Sequence, residues 1–332
     1  MFPGEHLEMS SKAELSVVYV NWNALAYLRD SISSVYQYTR DTLFEIIVVD
    51  NASSEAGLES LREQFPAIKI LRSSQNVGFA VANNLGFRHS VGDYVLFLNP
   101  DTQLIDPSID TLLAHYKMLP DAGVMGCKLL NSDLSLQLSS IDAFPTILNQ
   151  ALDSEYFRHR WPSCPLWKLA PLFVDNSLPV RVEVISGACI LLRRHIFDQV
   201  GQFSEEYFMY AEDLDLSCKV HDAGFQNYYL GSTAIIHHGG KSSAGQLGGQ
   251  WSTIMKFRAM VELFRNSRGN AYAIGYRCVM GITAVCRLSL LMVMLALSSE
   301  GTSRALLRQS WSKWLTILKS SISSHSVPLT SL

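Results

Sequence analysis

The sequence predicts an α/β fold, a mostly parallel sheet flanked by helices, followed by a C-terminal basic, apolar helical extension. Three observations carry this. Short apolar runs alternate with helical segments through the first hundred positions, which is the pattern of strand–helix–strand units. Acidic loops follow two of those runs, at Asp50-Asn51-Ala52-Ser53 and Asn99-Pro100-Asp101-Thr102, and a third acidic cluster stands at Glu212-Asp213-Leu214-Asp215. Charge is divided unevenly: beyond Trp251 ten lysines and arginines face two glutamates, so that segment carries +8, and the remainder −11, of a net −3.

Leu15 to Asn21 (LSVVYVN) reads as the first strand, and Leu25 to Tyr38 as a helix with Leu25, Leu28, Ile32 and Val35 at helical spacing. Phe44 to Val49 is the second strand. Glu55 to Phe65 is a helix that stops ahead of Pro66, whose ring disfavours helical backbone in the residue before it. Ile68 to Leu71, Gly78 to His89 and Tyr94 to Leu98 continue as strand, helix and strand. Right-handed crossovers put the loops that follow these strands on one edge of the sheet, where open α/β sheets bind ligands. Ser108 to Met118 is a further helix and Val124 to Leu130 a further strand. From Asn131 to Pro179 the period is lost among prolines, Trp161 and Trp167. A long irregular insert in a domain is usually functional or mobile, and this one is read as acceptor-side or lid material. Val182 to Arg193 resumes as a strand, Glu212 to Ala223 is a helix ended by Gly224, and Tyr228 to His237 is strand-like. Trp251 to Arg268 is an amphipathic basic helix. Ala271 to Leu297 is strongly apolar but holds Arg277 and Arg287, and its uninterrupted part, Leu288 to Leu297, is too short to span a bilayer. An in-plane or re-entrant helix is the preferred reading, with a tilted span or a buried core helix as alternatives.

The 332 residues, 48% hydrophobic, suffice for one large α/β domain and an appendage. The small net charge gives no nucleic-acid signature, whereas the basic tail suits an anionic membrane surface. The six cysteines form no C-x-x-C pair and read as reduced, structural residues of a cytosolic protein. The first 14 residues have no apolar core to act as a signal peptide and are expected to be disordered. The division expected is therefore 1–14, a catalytic domain over 15–250 containing the 131–180 insert, and a membrane-associating helical extension over 251–332.

Each acidic or polar cluster has both a chemical and an ordinary reading. Asp50, Asn51 and Ser53 can meet a nucleobase or ribose at a strand end, or simply cap a helix. Asn76-Val77-Gly78, with Asn84, can bring backbone amides to a phosphate, or form a plain loop-to-helix turn. Asn99-Pro100-Asp101 can supply a carboxylate to Mg²⁺ or Mn²⁺ on a diphosphate, or be a turn. In the third cluster, Glu212 and Asp215 share a helix face at i, i+3 while Asp213 points elsewhere. Crowding acids raises the pKa of one of them and can poise a base, though acids also favour helix N-termini. In His237-His238-Gly239-Gly240-Lys241-Ser242 the histidine can complete a metal shell and the lysine can meet phosphate, or the pair is structural.

The order of the blocks LSVVYVNWN, VVDNASS, NVGFAVANNLG, GDYVLFLNPDT, SGACILLRR, FMYAEDLDL and IIHHGGKSS resembles the family 2 glycosyltransferases, and within them a rhamnosyltransferase-like branch. The resemblance spans about residues 15 to 245 and implies a Rossmann-like GT-A fold. It implies an inverting transfer of one sugar from a nucleotide-diphosphate sugar, with Mg²⁺ or Mn²⁺, to a lipid-linked or polysaccharide acceptor at the inner face of the cell membrane, in cell-surface glycan biosynthesis. dTDP-rhamnose is the default donor. Position by position, it assigns the donor site to Asp50, Asn51, Ser53, Asn76, Gly78, Asn84 and Asn99, and the metal to Asp101 and His237. Asp213 becomes the general base, with Glu212 beside it. Asn99 stands where the family motif has its first acid, which halves the local negative charge. Processive relatives carry Q-x-x-R-W after the base. Phe157-Arg158-His159-Arg160-Trp161 lacks the glutamine and precedes the base, which favours single addition. A nucleotidyltransferase acting on a sugar phosphate would want a glycine-rich basic loop after the first strand, and Asn21-Trp22-Asn23 offers none. A dehydrogenase fails on the same loop. A non-catalytic nucleotide-sugar-binding module would be free to lose Asp101 or Asp213, and both are present.

Overall fold

In the computed structural model, residues 12–174, 177–239, 244–298 and 301–323 are described. The chain opens with β1 (Leu15–Asn21), α1 (Leu25–Tyr38), β2 (Phe44–Asp50), α2 (Leu58–Gln64), β3 (Lys69–Arg72), α3 (Phe79–Arg88), β4 (Tyr94–Leu98), β5 (Thr102–Leu104), α4 (Ser108–Lys117) and β6 (Ala122–Leu130). An insert follows with β7 (Ile141–Asp142), α5 (Ile147–Leu152) and α6 (Glu155–Arg160). Then come β8 (Val180–Val182), β9 (Val184–Ile185), β10 (Cys189–Arg193), α7 (Arg194–Gln199), α8 (Glu212–Asp222) and β11 (Gln226–His237). Three long helices close the chain: α9 (Ala244–Arg268), α10 (Asn270–Leu297) and α11 (Thr302–Ile322).

The nine-stranded sheet has the order β3-β2-β1-β4-β10-β6-β11-β5, with β8 also paired to β11. β1, β2, β3, β4, β6 and β11 run one way, and β5, β8 and β10 run against them. The order turns back at β1, between β2 and β4, and such a switch point opens a crevice beyond the carboxyl ends of the strands. Alternation along each strand feeds two cores. Val17, Tyr19, Ile46, Val48, Leu96 and Leu98 pack with α1 and α4 on one face. Val18, Val95 and Phe97 pack with α3, α7 and α8 on the other. A parallel strand buried on both faces is largely apolar, and Leu15–Asn21, buried at every position, is apolar except for Ser16 and Asn21.

The structure corrects three element readings. The helix expected from Glu55 begins only at Leu58, because Glu55 is used elsewhere: its carboxylate accepts the Leu25 N–H, 2.9 Å away. The strand expected over Val182 to Arg193 is three strands. β8 pairs β11, β9 pairs β7, and β10 enters the main sheet between β4 and β6. A continuous apolar run looks the same whether it stays in one sheet or changes partners. The insert also has regular elements. α5 is closed by a reciprocal cap between Thr146 and Asn149. Arg158, from the RHRW string, is held by Asp142 at 2.9 Å and Asp153 at 2.7 Å, an architectural use.

α9, α10 and α11 form a third core from Phe257, Met260, Phe264, Tyr276, Met280 and Trp314, and it reaches Tyr207 and Ala211 just ahead of the acidic cluster. The two arginines that interrupted the apolar run are turned inward. Arg277 donates to the Ser321 and Ser323 carbonyls, and Arg287 to those of Ala151 and Asp153 while lying over the Trp314 ring. This leaves a continuous outward face on α10, with Ile282 65%, Leu290 60% and Leu297 82% exposed. Among the described residues α10 is the one helix long and apolar enough to cross a membrane, with a mean hydropathy of 2.1 over its most apolar stretch.

Candidate active site

A cavity of about 1190 Å³ lies beyond the carboxyl ends of β1, β2 and β4. One wall comes from strand-end residues, among them Trp22, Asn51, Asn76, Gly78, Asn99 and His237. Another comes from Ser186, Gly187, Glu212 and Asp213, and the far side from α9, α10 and α11.

Polar side chains brace the strand-end wall. Asn21 donates to Asp50 (3.0 Å) and Ser53 (3.1 Å), and Asn51 donates to the Asn76 carbonyl oxygen Oδ1 (2.8 Å). Asn51 Oδ1 accepts the Val77 N–H (2.9 Å), while Asn76 Oδ1 accepts that of Gly78 (3.0 Å). Asp50 is 8% exposed, and neither it nor Ser53 is among the cavity-lining residues; both sit directly behind Asn51.

Two expectations for the next segment change. Gly78 lines the cavity, but its close approach is to the Phe208 backbone. It has φ +85°, and a Cβ there would lie 2.4 Å from the Phe208 oxygen. The first amide of α3, that of Phe79, donates to the same oxygen at 2.8 Å and so is not open to phosphate. Asn84 does not line the cavity. It is 2% exposed and clasps the Phe203 backbone on both sides, donating to its carbonyl (2.9 Å) and accepting its N–H (3.2 Å). Both residues therefore fasten the 203–211 loop that leads into α8.

That loop delivers the acids in a strained conformation. Tyr210 and Ala211 are both left-handed, at φ 72° and 66°, which costs about 1–3 kcal/mol per residue and persists only where surrounding structure enforces it. The next two residues are Glu212 and Asp213. Asp213 Oδ2 accepts the Gly187 N–H at 2.8 Å, and Oδ1 accepts that of Leu214 at 2.9 Å. A side chain on Gly187 would crowd that carboxylate, its Cβ 3.3 Å from Oδ2. Asp215 is used structurally, taking the Ser204 hydroxyl at 2.6 Å and Lys219 at 3.1 Å.

The two acids differ in environment. Glu212 is 7% exposed, and its Oε2 is buried without a hydrogen-bond partner among the described residues. Burial first, then the charges of Asp213 and Asp215, push its pKa up to about 8. Burial also raises Asp213, but the Gly187 and Leu214 amides oppose it and favour its charged form. Of the pair, Glu212 is therefore the acid that holds a proton the more firmly, while the two amides make Asp213 the better place for a negative charge. A carboxylate with a raised pKa is a stronger base than one in water.

β5 and β11 pair so that His237 lies opposite Thr102. His237 Nε2 thereby comes 3.5 Å from Asp101 Oδ1 and 3.4 Å from the Asn99 amide nitrogen. Its Nδ1 is 2.8 Å from Gln137 Oε1, and the Gln137 amide nitrogen donates to Asn131 (2.9 Å) and to the His237 carbonyl (3.0 Å). Gln137 presents its oxygen to Nδ1 and so orients the ring with Nε2 toward Asp101, as second-shell partners orient metal-binding histidines. Among the described residues no group of three His, Cys, Asp or Glu side chains is arranged to hold a metal ion. The donor set of one carboxylate and one imidazole fits Mn²⁺ or Mg²⁺ where phosphate oxygens fill the other positions. His238 turns away, to Ser132 at 2.8 Å, while Gly240, Lys241 and Ser242 lie outside the described residues.

Sequence reading missed Gln137, Gly187, Lys256 and Lys313. No local pattern marks a glutamine in an aperiodic insert or a lysine on a basic helix.

Comparison with known proteins identifies the fold and the family. Residues 16–201 match the family model described as glycosyl transferase family 2. The N-acetylglucosaminyl-diphospho-decaprenol L-rhamnosyltransferase of Mycobacterium tuberculosis is 30% identical over 238 residues, covering 68% of this chain and 76% of that protein. Rhamnosyltransferase WbbL of Escherichia coli K12 is 26% identical, covering 60% and 74%. The mannosyltransferase PcManGT from Pyrobaculum calidifontis, solved with GDP-Man and Mn²⁺, superposes with a TM-score of 0.57 at 15% identity, covering 94% of this chain and 87% of that one. The fold is thus of the GT-A type. With the family model spanning more than half the chain and a relative at 30% identity over two thirds of it, the protein is a glycosyltransferase that belongs to glycosyl transferase family 2.

Proposed function

We propose that the enzyme inverts configuration while moving one rhamnose from dTDP-rhamnose to a lipid-linked acceptor at the inner face of the cell membrane, in cell-surface glycan biosynthesis. The observation that carries this is one cavity with Asn51, Asn76, Asn99 and His237 on one wall and Asp213 on another. The sugar named for the two relatives supports rhamnose, and the diphospho-decaprenol acceptor named for one supports a lipid-linked acceptor over a free polysaccharide. The outward apolar face of α10 supports a membrane surface.

In this reading Asn51, Asn76 and Asn99, with Asp50 and Ser53 behind them, receive the nucleotide, and Asn84 and Gly78 hold the loop that carries the acids. Asp213 takes the proton of the acceptor hydroxyl. The oxygen then attacks the anomeric carbon from the face opposite the nucleotide, so the C–O bond forms as the diphosphate leaves. Glu212, holding its own proton, keeps a second charge out of the site. Asp101 and His237 would hold Mg²⁺ or Mn²⁺, whose chemistry there is to neutralise the leaving diphosphate.

A thermal-shift screen of dTDP, UDP and GDP compounds with and without Mn²⁺ tests the donor side, since a ligand bound only to the folded state raises Tm. A metal-dependent rise strongest for dTDP compounds is expected, and no response to any of them refutes a donor site. Flotation with anionic liposomes tests the membrane side. Protein that stays at the bottom of the gradient refutes it.

A further inference from the structure

The far side of the cavity is made by α9, α10 and α11 and has a composition that the strand-end wall lacks. It carries an apolar group, Phe257, Met260, Tyr276, Met280, Trp314 and Ile317, each less than a tenth exposed, beside polar residues such as Gln250, Thr253 and Gln309. Two cations stand on it, Lys256 of α9 and Lys313 of α11, the cavity-lining lysines and arginines among the described residues. Several arginines of these helices already have partners: Arg265 pairs with Glu262, while Arg268, Arg277 and Arg287 hold backbone carbonyls. Lys256 and Lys313 form no ion pair with a described carboxylate. Each lies near an aromatic ring instead, Lys256 4.9 Å from the centroid of Tyr210 and Lys313 5.9 Å from that of Trp314.

Both residues are exposed and line the cavity. The surrounding walls still strip enough water from Lys256 to lower its pKa, and the charge of Lys313 lowers it further. Two like charges held near each other over an apolar surface repel, and an anion between them removes that repulsion. Lys256 also feels the charges of Asp153 and then Asp213, both of which line the cavity, so the anion site adjoins the proposed base. The strand-end side, with Asp101 and His237, serves the donor. A second anion site on the opposite wall, beside the base and over apolar side chains, fits an acceptor whose anionic group joins a sugar to a hydrocarbon chain.

We propose that Lys256 and Lys313 bind the diphosphate of a polyprenyl-linked acceptor, with its first isoprene units on the wall of Phe257, Met260, Tyr276 and Trp314. This rests on the lipid-linked acceptor assigned above. The same three-helix unit carries the exposed face of α10, so the membrane that holds the rest of the chain and the site that holds the diphosphate share one scaffold.

The test is calorimetric titration of the full chain with farnesyl diphosphate, with farnesol, and with dTDP. Wild type binds farnesyl diphosphate more tightly than farnesol. Lys256→Met and Lys313→Met, which keep side-chain length and remove charge, each weaken farnesyl diphosphate binding about tenfold or more, as expected for losing a charge-assisted contact. dTDP binding stays within about twofold, and Lys256→Arg and Lys313→Arg retain farnesyl diphosphate. The proposal is overturned if the Met variants bind farnesyl diphosphate like wild type, or if the Arg variants fail with them. Equal loss of dTDP and farnesyl diphosphate overturns it too, by assigning the lysines to the donor. A wild type that binds dTDP but not farnesyl diphosphate removes the acceptor site and spares the donor site. One that binds neither dTDP nor any other nucleotide diphosphate removes both.

Discussion

Replacing Glu212 by glutamine should make the protein less sensitive to alkaline pH. The folded-state pKa of Glu212, about 8, lies above its ordinary value of 4.5. For a carboxyl group this means that the native state keeps the proton while the unfolded chain releases it. Stability is therefore greatest below the unfolded pKa and falls as pH rises through the interval up to the folded one. The slope is about 1.4 kcal/mol per pH unit. Between about pH 6 and about pH 8 wild type thus loses roughly 2–3 kcal/mol through this group, the slope flattening near the upper end. For a chain of this size about 1 kcal/mol corresponds to roughly 2 °C in Tm. Glu212→Gln is neutral at every pH, like the protonated acid it replaces, so the variant should match wild type only below the unfolded pKa, and its Tm advantage should grow by about 5 °C between about pH 6 and about pH 8. Scanning calorimetry of both proteins across that range measures the difference directly. Parallel Tm curves for the two proteins would show that Glu212 is not protonated in the native state and would remove the argument that Asp213 alone carries the charge.

Other perturbations separate chemistry from architecture. Asp213→Asn should lower turnover by about 10²–10⁴ with donor affinity nearly unchanged, because the lost group acts in the transition state; equal loss of donor binding, measured by calorimetry, would make the residue structural. Asp101→Ala should weaken nucleotide-sugar binding in Mn²⁺ and make no difference in EDTA, and identical affinities for variant and wild type in Mn²⁺ would refute the metal role. Gly78→Ala should destabilise the protein by more than about 1 kcal/mol, since the new Cβ meets the Phe208 oxygen at 2.4 Å in a left-handed backbone; an unchanged Tm would show that the 203–211 loop is not fastened there.

Much of this molecule was legible locally. The β1–β4 half of the sheet follows from apolar runs with helical segments between them, because burial on two faces leaves the same mark on a strand wherever it sits. The acidic clusters at Asp50, Asp101 and Asp213 were also legible, as carboxylates directly after strands or at the start of a helix. What was not legible depends on partners distant in the chain. His237 is oriented by Gln137, a hundred residues earlier, and the Asp213 carboxylate is held by the amide of Gly187, at a break inside what reads as one apolar strand. Asn84 looked like a ligand-facing polar residue and is instead a buried clasp on Phe203.

The basic tail shows the same division. Its charge and hydropathy, read from the sequence alone, point to a surface of opposite charge and low polarity. Only the packing of α9, α10 and α11 assigns Arg277 and Arg287 to backbone carbonyls, turns Leu290 and Leu297 outward, and leaves Lys256 and Lys313 facing the cavity. The sequence by itself determined which elements form and which chemical groups they carry, since period and propensity are properties of neighbouring residues. The tertiary structure decided which of those groups face one another and which are neutralised before any ligand arrives. Hydrogen bonds and desolvation act through space and leave no periodic trace along the chain.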